Sequence, residues 1–212
     1  MTTNRGLRVA NMTCGALAAV ALLTACDTGD EAALSADALR QAATRADPAK
    51  CPVDFDVPAA LTAAGVDGTA EFDSAEAQTS ATTTPADDPL TAQQRDGMTP
   101  LDAVAGTYIE CDYRVGGDTL SVRLVTTRVN AAVNLLVPQI VQDARLRLTD
   151  VDPLIAPPPA AGEVRRAGST VAVGGLAVDG GDGALMVSSK VPALHDDALA
   201  KATGSLLFGL KF

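Results

Sequence analysis

Tryptophan is absent from this 212-residue chain, tyrosine occurs twice and phenylalanine four times. The rings that stack on sugars or on unpaired bases are therefore missing, which disfavours a stacking lectin or a single-strand binder. Positive charge is also short. Sixteen Lys and Arg face 26 Asp and Glu, the net charge is −10, and no basic run exceeds Arg165-Arg166. Such a surface has no footprint for a phosphate backbone and would be repelled by anionic headgroups, so nucleic acid is excluded as a partner. Histidine occurs once, at position 195. Any Ser-His-Asp or Cys-His mechanism would have to pass through it, yet His195-Asp196-Asp197 reads as the solvated first turn of a helix, where acidic groups suit the dipole. G-x-S-x-G and Walker loops are absent, and no residue pattern calls for a cofactor or a metal. The chain reads as noncatalytic.

What is present begins at the N-terminus. A short basic stretch with Arg5 and Arg8 precedes an apolar core from Ala16 to Leu23 and then small residues, the layout of an export signal. A bilayer-spanning helix needs about 20 apolar residues. This core is far shorter and is preceded by Asn11, Thr13 and Gly15, so it is read as a processed leader. Leu23-Thr24-Ala25-Cys26 resembles the lipobox of bacterial lipoproteins. That resemblance implies cleavage before Cys26, lipidation of its thiol, and a chain held by its lipid on the extracytoplasmic face of the cell membrane. Loss of Arg5 and Arg8 with the leader would take the net charge from −10 two units lower. Cys14 would leave with the leader.

Cys51 and Cys111 then remain. An isolated pair in an oxidising compartment, without C-x-x-C spacing or an adjacent histidine, predicts a disulfide. The expected organisation is a leader over 1–25, a lipidated cysteine and polar tether over 26–50, and one α+β domain over 51–212. Within the tether, Glu31 to Ala46 has good helix formers but few large apolar residues, so it reads as a weakly helical spacer. Residues 74–100, rich in Thr, Ser, Ala, Asp and Pro, read as a flexible insert that could accept sugars.

Elsewhere the periodicities are clear. Pro58 and Gly65 bracket a helix over 59–64. Tyr108 to Val115 alternates, with Ile109, Cys111, Tyr113 and Val115 on the apolar face, and Gly116-Gly117-Asp118 turns it into a strand carrying Leu120, Val122 and Leu124. Asn130 could cap a helix over 131–148 that Pro138 should kink or split. A β segment spans 163–178 with a turn, bulge or bend at Gly174-Gly175, and a strand over 184–190 follows. Asp179 to Gly183 reads as a tight turn in preference to a calcium loop. Pro192 opens a last helix ending near Phe208. The order predicts an α+β fold, an antiparallel sheet packed on one face by helices.

With the lipobox at Cys26, Cys51-Pro52 before a short helix and Cys111-Asp112-Tyr113 on a strand, the chain resembles small cell-envelope lipoproteins of actinobacteria that share a cysteine, helix, cysteine-x-aromatic layout. The resemblance implies no common reaction. The function expected is that of a binding or interaction module at the envelope, with an unknown envelope protein as partner. A carrier holding a lipid or other apolar ligand between sheet and helices is the alternative, marked by an enclosed apolar cavity.

Overall fold

A computed structural model of the protein describes residues 34–210. The leader and Cys26 lie outside the described residues. Along the chain come β1 (Leu34–Ser35), α1 (Ala36–Thr44), α2 (Val57–Ala64), β2 (Ala70–Ala81), α3 (Pro89–Arg95), α4 (Pro100–Ala103), β3 (Thr107–Val115) and β4 (Asp118–Thr127). They are followed by α5 (Ala132–Ala144), α6 (Asp152–Ile155), β5 (Val164–Ala167), β6 (Val171–Leu176), β7 (Val178–Asp179), β8 (Asp182–Ser189) and α7 (Asp196–Phe208). Six strands form one antiparallel sheet in the order β2-β3-β4-β8-β6-β5, and β1 pairs in parallel with β7. The fold is α+β with an antiparallel sheet, as the sequence predicts, but helices pack on both faces of that sheet and not on one alone.

One face of this sheet is apolar throughout. Ile109, Cys111, Tyr113, Val115, Leu120, Val122, Leu124, Leu185, Val187 and Ala172 share it with Leu39 of α1, Ala60 and Leu61 of α2, and Leu199, Ala202, Leu206 and Leu207 of α7. Period-two alternation on the strands and helical spacing on α7 bring these side chains to a common layer. α2 forms where its ends are specified. Asp56 accepts a hydrogen bond from the Ala59 amide at 3.0 Å, Pro58 stands in the first turn, and Gly65 closes the helix at φ +72°, a left-handed conformation that suits a residue without Cβ. The Cys51–Cys111 disulfide, Cα to Cα 5.7 Å, ties the segment before α2 to the middle of β3.

The opposite face is divided. Val125, Val171, Val173, Ala184 and Met186 lie beneath α5 and pack against Val133, Leu136 and Ile140. α5 stays unbroken through Pro138 and ends at Ala144, so Pro138 does not split it. Asn130 is not its cap either. Asp182, the first residue of β8, accepts from the Ala132 amide at 2.8 Å, so the strand that leaves the tight turn at Gly180-Gly181 also anchors a helix start.

Three readings of local sequence are corrected. The tether is structured in part: α1 places Leu39 wholly inside the core with Ala36 and Ala43 buried beside it, and Ser35 caps it. Small alanines around one leucine give little apolar signal, yet they fit a shallow site on a sheet. Residues 74–100, expected as a loop, hold the end of β2 as well as α3 and the start of α4. Asp88 and Thr99 cap those two short helices, and β2 gains its order from the ladder to β3 instead of from buried side chains. Gly174-Gly175 is not a turn, which falls instead at 168–170 between β5 and β6. Gly175 lies in strand where a Cβ would overlap the carbonyl oxygens of Pro159 and Ala160.

Candidate binding groove

The half of the second face that α5 leaves open carries the polar positions of the central hairpin. On β3, Tyr108, Glu110, Asp112 and Arg114 alternate with the apolar set, and on β4 Thr119, Ser121 and Arg123 do the same. The register sets Glu110 opposite Arg123, Asp112 opposite Ser121, and Ser121 opposite Ser188 of β8. β2 adds a wall. Its register to β3 jumps between Asp73 and Gln78, so residues 74–77 bulge from the ladder. Together with Asp143 of α5, these side chains other than Tyr108, which packs toward the cluster beneath α5, line a groove of about 440 Å³ that includes Glu76, Gln78, Thr170, Ser189 and Lys190.

Arg123 organises the groove floor. Its Nε donates to Glu110 Oε1 at 2.6 Å, one terminal nitrogen donates to Asp143 Oδ2, and the same nitrogen reaches Ser188 Oγ at 3.2 Å. The guanidinium side chain is only 12% exposed and that of Glu110 10%. Burial works against the Arg123 charge, but the Glu110 and Asp143 carboxylates outweigh it and hold the group more basic than usual. Asp143 stands in the last turn of α5, where a carboxylate opposes the helix dipole, and Arg123 offsets that. Tyr108 completes the network by donating to Glu110 Oε2 at 2.7 Å. Burial, joined by that bond, pushes its phenol well above the usual range.

Asp112 lies in the next row and is different. The residue is 8% exposed, and its Oδ1 is buried with no hydrogen-bond partner. Burial raises its pKa, the negative charges of Glu110 and Glu76 act in the same direction, and Ser121 and Arg123 oppose them. Arg114, one row further, is engaged by Asp73 at 2.9 Å.

A second hollow of about 640 Å³ adjoins this groove and shares Asp143, Thr170, Ser189 and Lys190 with it. His195 lines it. The residue is the N-cap position of α7, half-buried instead of solvated, and its Nε2 is enclosed without a partner. Across the same hollow Ser189 Oγ accepts from the Val191 amide at 3.0 Å. Among the described residues no group of three or more His, Cys, Asp or Glu is placed to hold a metal ion. Cys51 and Cys111 lie on the far side of the sheet, in its apolar layer. An apolar hollow of about 280 Å³, lined by Leu34, Leu176, Leu207 and Phe208 among others, lies elsewhere and is smaller than either of these two.

The sequence showed the alternation of Glu110, Asp112 and Arg114 but not that this face is enclosed. The enclosing parts, Asp143 and the 74–77 bulge, come from segments distant in sequence. Comparison with family models, curated proteins and solved structures finds no match to this chain.

Proposed function

We propose that the protein is a lipid-anchored extracytoplasmic lipoprotein and that its folded domain is a noncatalytic binding module, taking a polar partner of the cell envelope in the groove around Arg123. The lipobox ending at Cys26 supports the address, and the Cys51–Cys111 disulfide suits an oxidising compartment. The observation that carries the binding role is the groove itself. Its floor is fixed by buried, mutually bonded side chains, while hydroxyls of Thr119, Ser121, Ser188 and Ser189, the amide of Gln78 and the charges of Asp112 and Lys190 line it. A preorganised floor with several polar groups around it favours recognition of a polar ligand over an apolar one.

Cross-linking and capture from envelope preparations with the native lipidated protein tests the binding role against a Ser121→Trp variant that fills the groove and keeps the parent's circular dichroism. Loss of the captured species in the variant is the expected result. Equal capture by both proteins refutes the groove as the binding surface. The address is tested separately by labelling with a fatty-acid analogue. Cys26→Ala should abolish incorporation, and labelling equal to the parent's removes the lipoprotein assignment.

A further inference from the structure

We infer that Asp112 and Glu76 form a recognition site for a primary ammonium group on the ligand of this groove, a reading that rests on the groove being a binding surface and names the chemistry it selects. Four carboxylates line the groove, those of Glu76, Glu110, Asp112 and Asp143. Glu110 and Asp143 are taken up by Arg123, and Arg114 is engaged by Asp73 outside the lining. Asp112 and Glu76 are thus the two lining carboxylates with no ion pair among the described residues. Both line the same groove, and the Glu76 charge acts in the direction that raises the Asp112 pKa. Asp112 is more than nine-tenths buried, lines the groove, and has an Oδ1 that accepts from nothing.

A buried acceptor without a donor is a free-energy cost the folded chain carries alone, and two neighbouring like charges add to it. A cation with N–H donors relieves both. A metal ion is the poorer fit, since no group of three potential ligands is assembled among the described residues. A guanidinium is planar and prefers a carboxylate fork, whereas an ammonium offers three divergent donors. The acceptors here come from more than one direction: Asp112, Ser121 opposite it and Ser188 opposite Ser121 occupy one row of the sheet, and Glu76 lines the same groove from the β2 bulge. Lys190 sits one row along, beside Thr119, whose carbonyl accepts from the Lys190 amide.

Nitrogen–proton correlation NMR and calorimetry on the purified full chain test this with 1,5-diaminopentane as the probe. Its bis-acetylated analogue lacks the charge, tetramethylammonium lacks the N–H donors, and Nα-acetyl-lysine amide asks whether a lysine side chain serves as well as a free amine. Saturable shifts at the amides of Asp112, Ser121 and Ser188 are expected for the two primary amines and not for the two controls. Asp112→Asn should weaken binding at least tenfold with an unchanged spectrum elsewhere, and Glu76→Gln several-fold. The inference is overturned if the acetylated or quaternary probe binds as well, if no probe saturates, or if Asp112→Asn binds like the parent. Should Asp112→Asn not fold, Glu76→Gln at an exposed position decides, and parental affinity there overturns it. Envelope capture by the Ser121→Trp pair is read independently, so a groove that binds a partner without an ammonium is distinguishable from one that binds nothing.

Discussion

Removing the Arg123 guanidinium should be among the most damaging single changes to the groove. Arg123→Met keeps an aliphatic stem at this position of β4 but leaves the carboxylates of Glu110 and Asp143 without their common cation. Breaking a buried ion pair from one side costs about 3–5 kcal/mol, because the remaining charge stays desolvated. Here Asp143 is 24% exposed and Glu110 10%, so water reaches one partner more than the other and the lower end, about 3 kcal/mol, is expected. Asp143 would also be left facing the carbonyl end of α5. For a chain of this size about 3 kcal/mol lowers Tm by roughly 6–12 °C. Urea unfolding followed by far-ultraviolet circular dichroism would show it as a midpoint shift of about 1.5 M at a slope near 2 kcal/mol per molar. The triple variant Arg123→Met, Glu110→Gln, Asp143→Asn removes every charge of the network and should recover most of the loss. A loss under about 0.5 kcal/mol in Arg123→Met alone, the range of ordinary surface substitutions, would mean that this network is solvated and does not hold the groove floor.

Reduction of Cys51–Cys111, which closes a separation of 60 residues, should cost about 4 kcal/mol in the chain-entropy model. An unchanged melting temperature with both thiols shown free would contradict it. Leu39→Ala should cost about 2–5 kcal/mol, because the side chain is fully buried against the sheet, and a change near zero by the same unfolding assay would return α1 to the status of a tether. Asp112→Asn should raise stability at neutral pH. The folded-state pKa of Asp112 lies above the ordinary 3.8, so its ionised form is the disfavoured one. Parent stability is penalised as pH rises from about 3.8 through the raised value, and the penalty is complete above it. The gain of the variant over the parent should therefore grow across that window, and a gain that shrinks with rising pH would show that the carboxylate is stabilised in place.

How much of this was legible in the sequence depended on how locally each element is specified. The β3–β4 hairpin carries its own turn and alternation, α2 its own cap and glycine, and the disulfide followed from two unassigned cysteines. β2 was not legible, since Glu71 to Ser80 has only Phe72 as a large apolar residue and its order comes from hydrogen bonds to a strand some forty residues on. α1 was missed for the same reason, with Leu39 anchored by a surface not yet formed in local sequence. Glu110 and Asp112 fall at the polar positions that the β3 alternation leaves, and Arg123 at one of β4, but their register and the fact that α5 screens only part of that face are not local properties. Where its cover stops, and hence where the groove starts, is a property of the packed layers.

The bulge at residues 74–77 has a consequence beyond shaping a wall. β2 is an outer strand of the sheet, and a straight outer strand of twelve residues would offer a long row of free amides and carbonyls to another molecule. Four unpaired residues in the middle break that row into two short stretches, and Glu71 and Glu76 place negative charge along it. On the lipid anchoring proposed above, copies confined to a two-dimensional layer would meet far more often than free molecules do. The irregular rim would then keep neighbours from zipping together edge to edge, leaving each copy's groove free for its own partner.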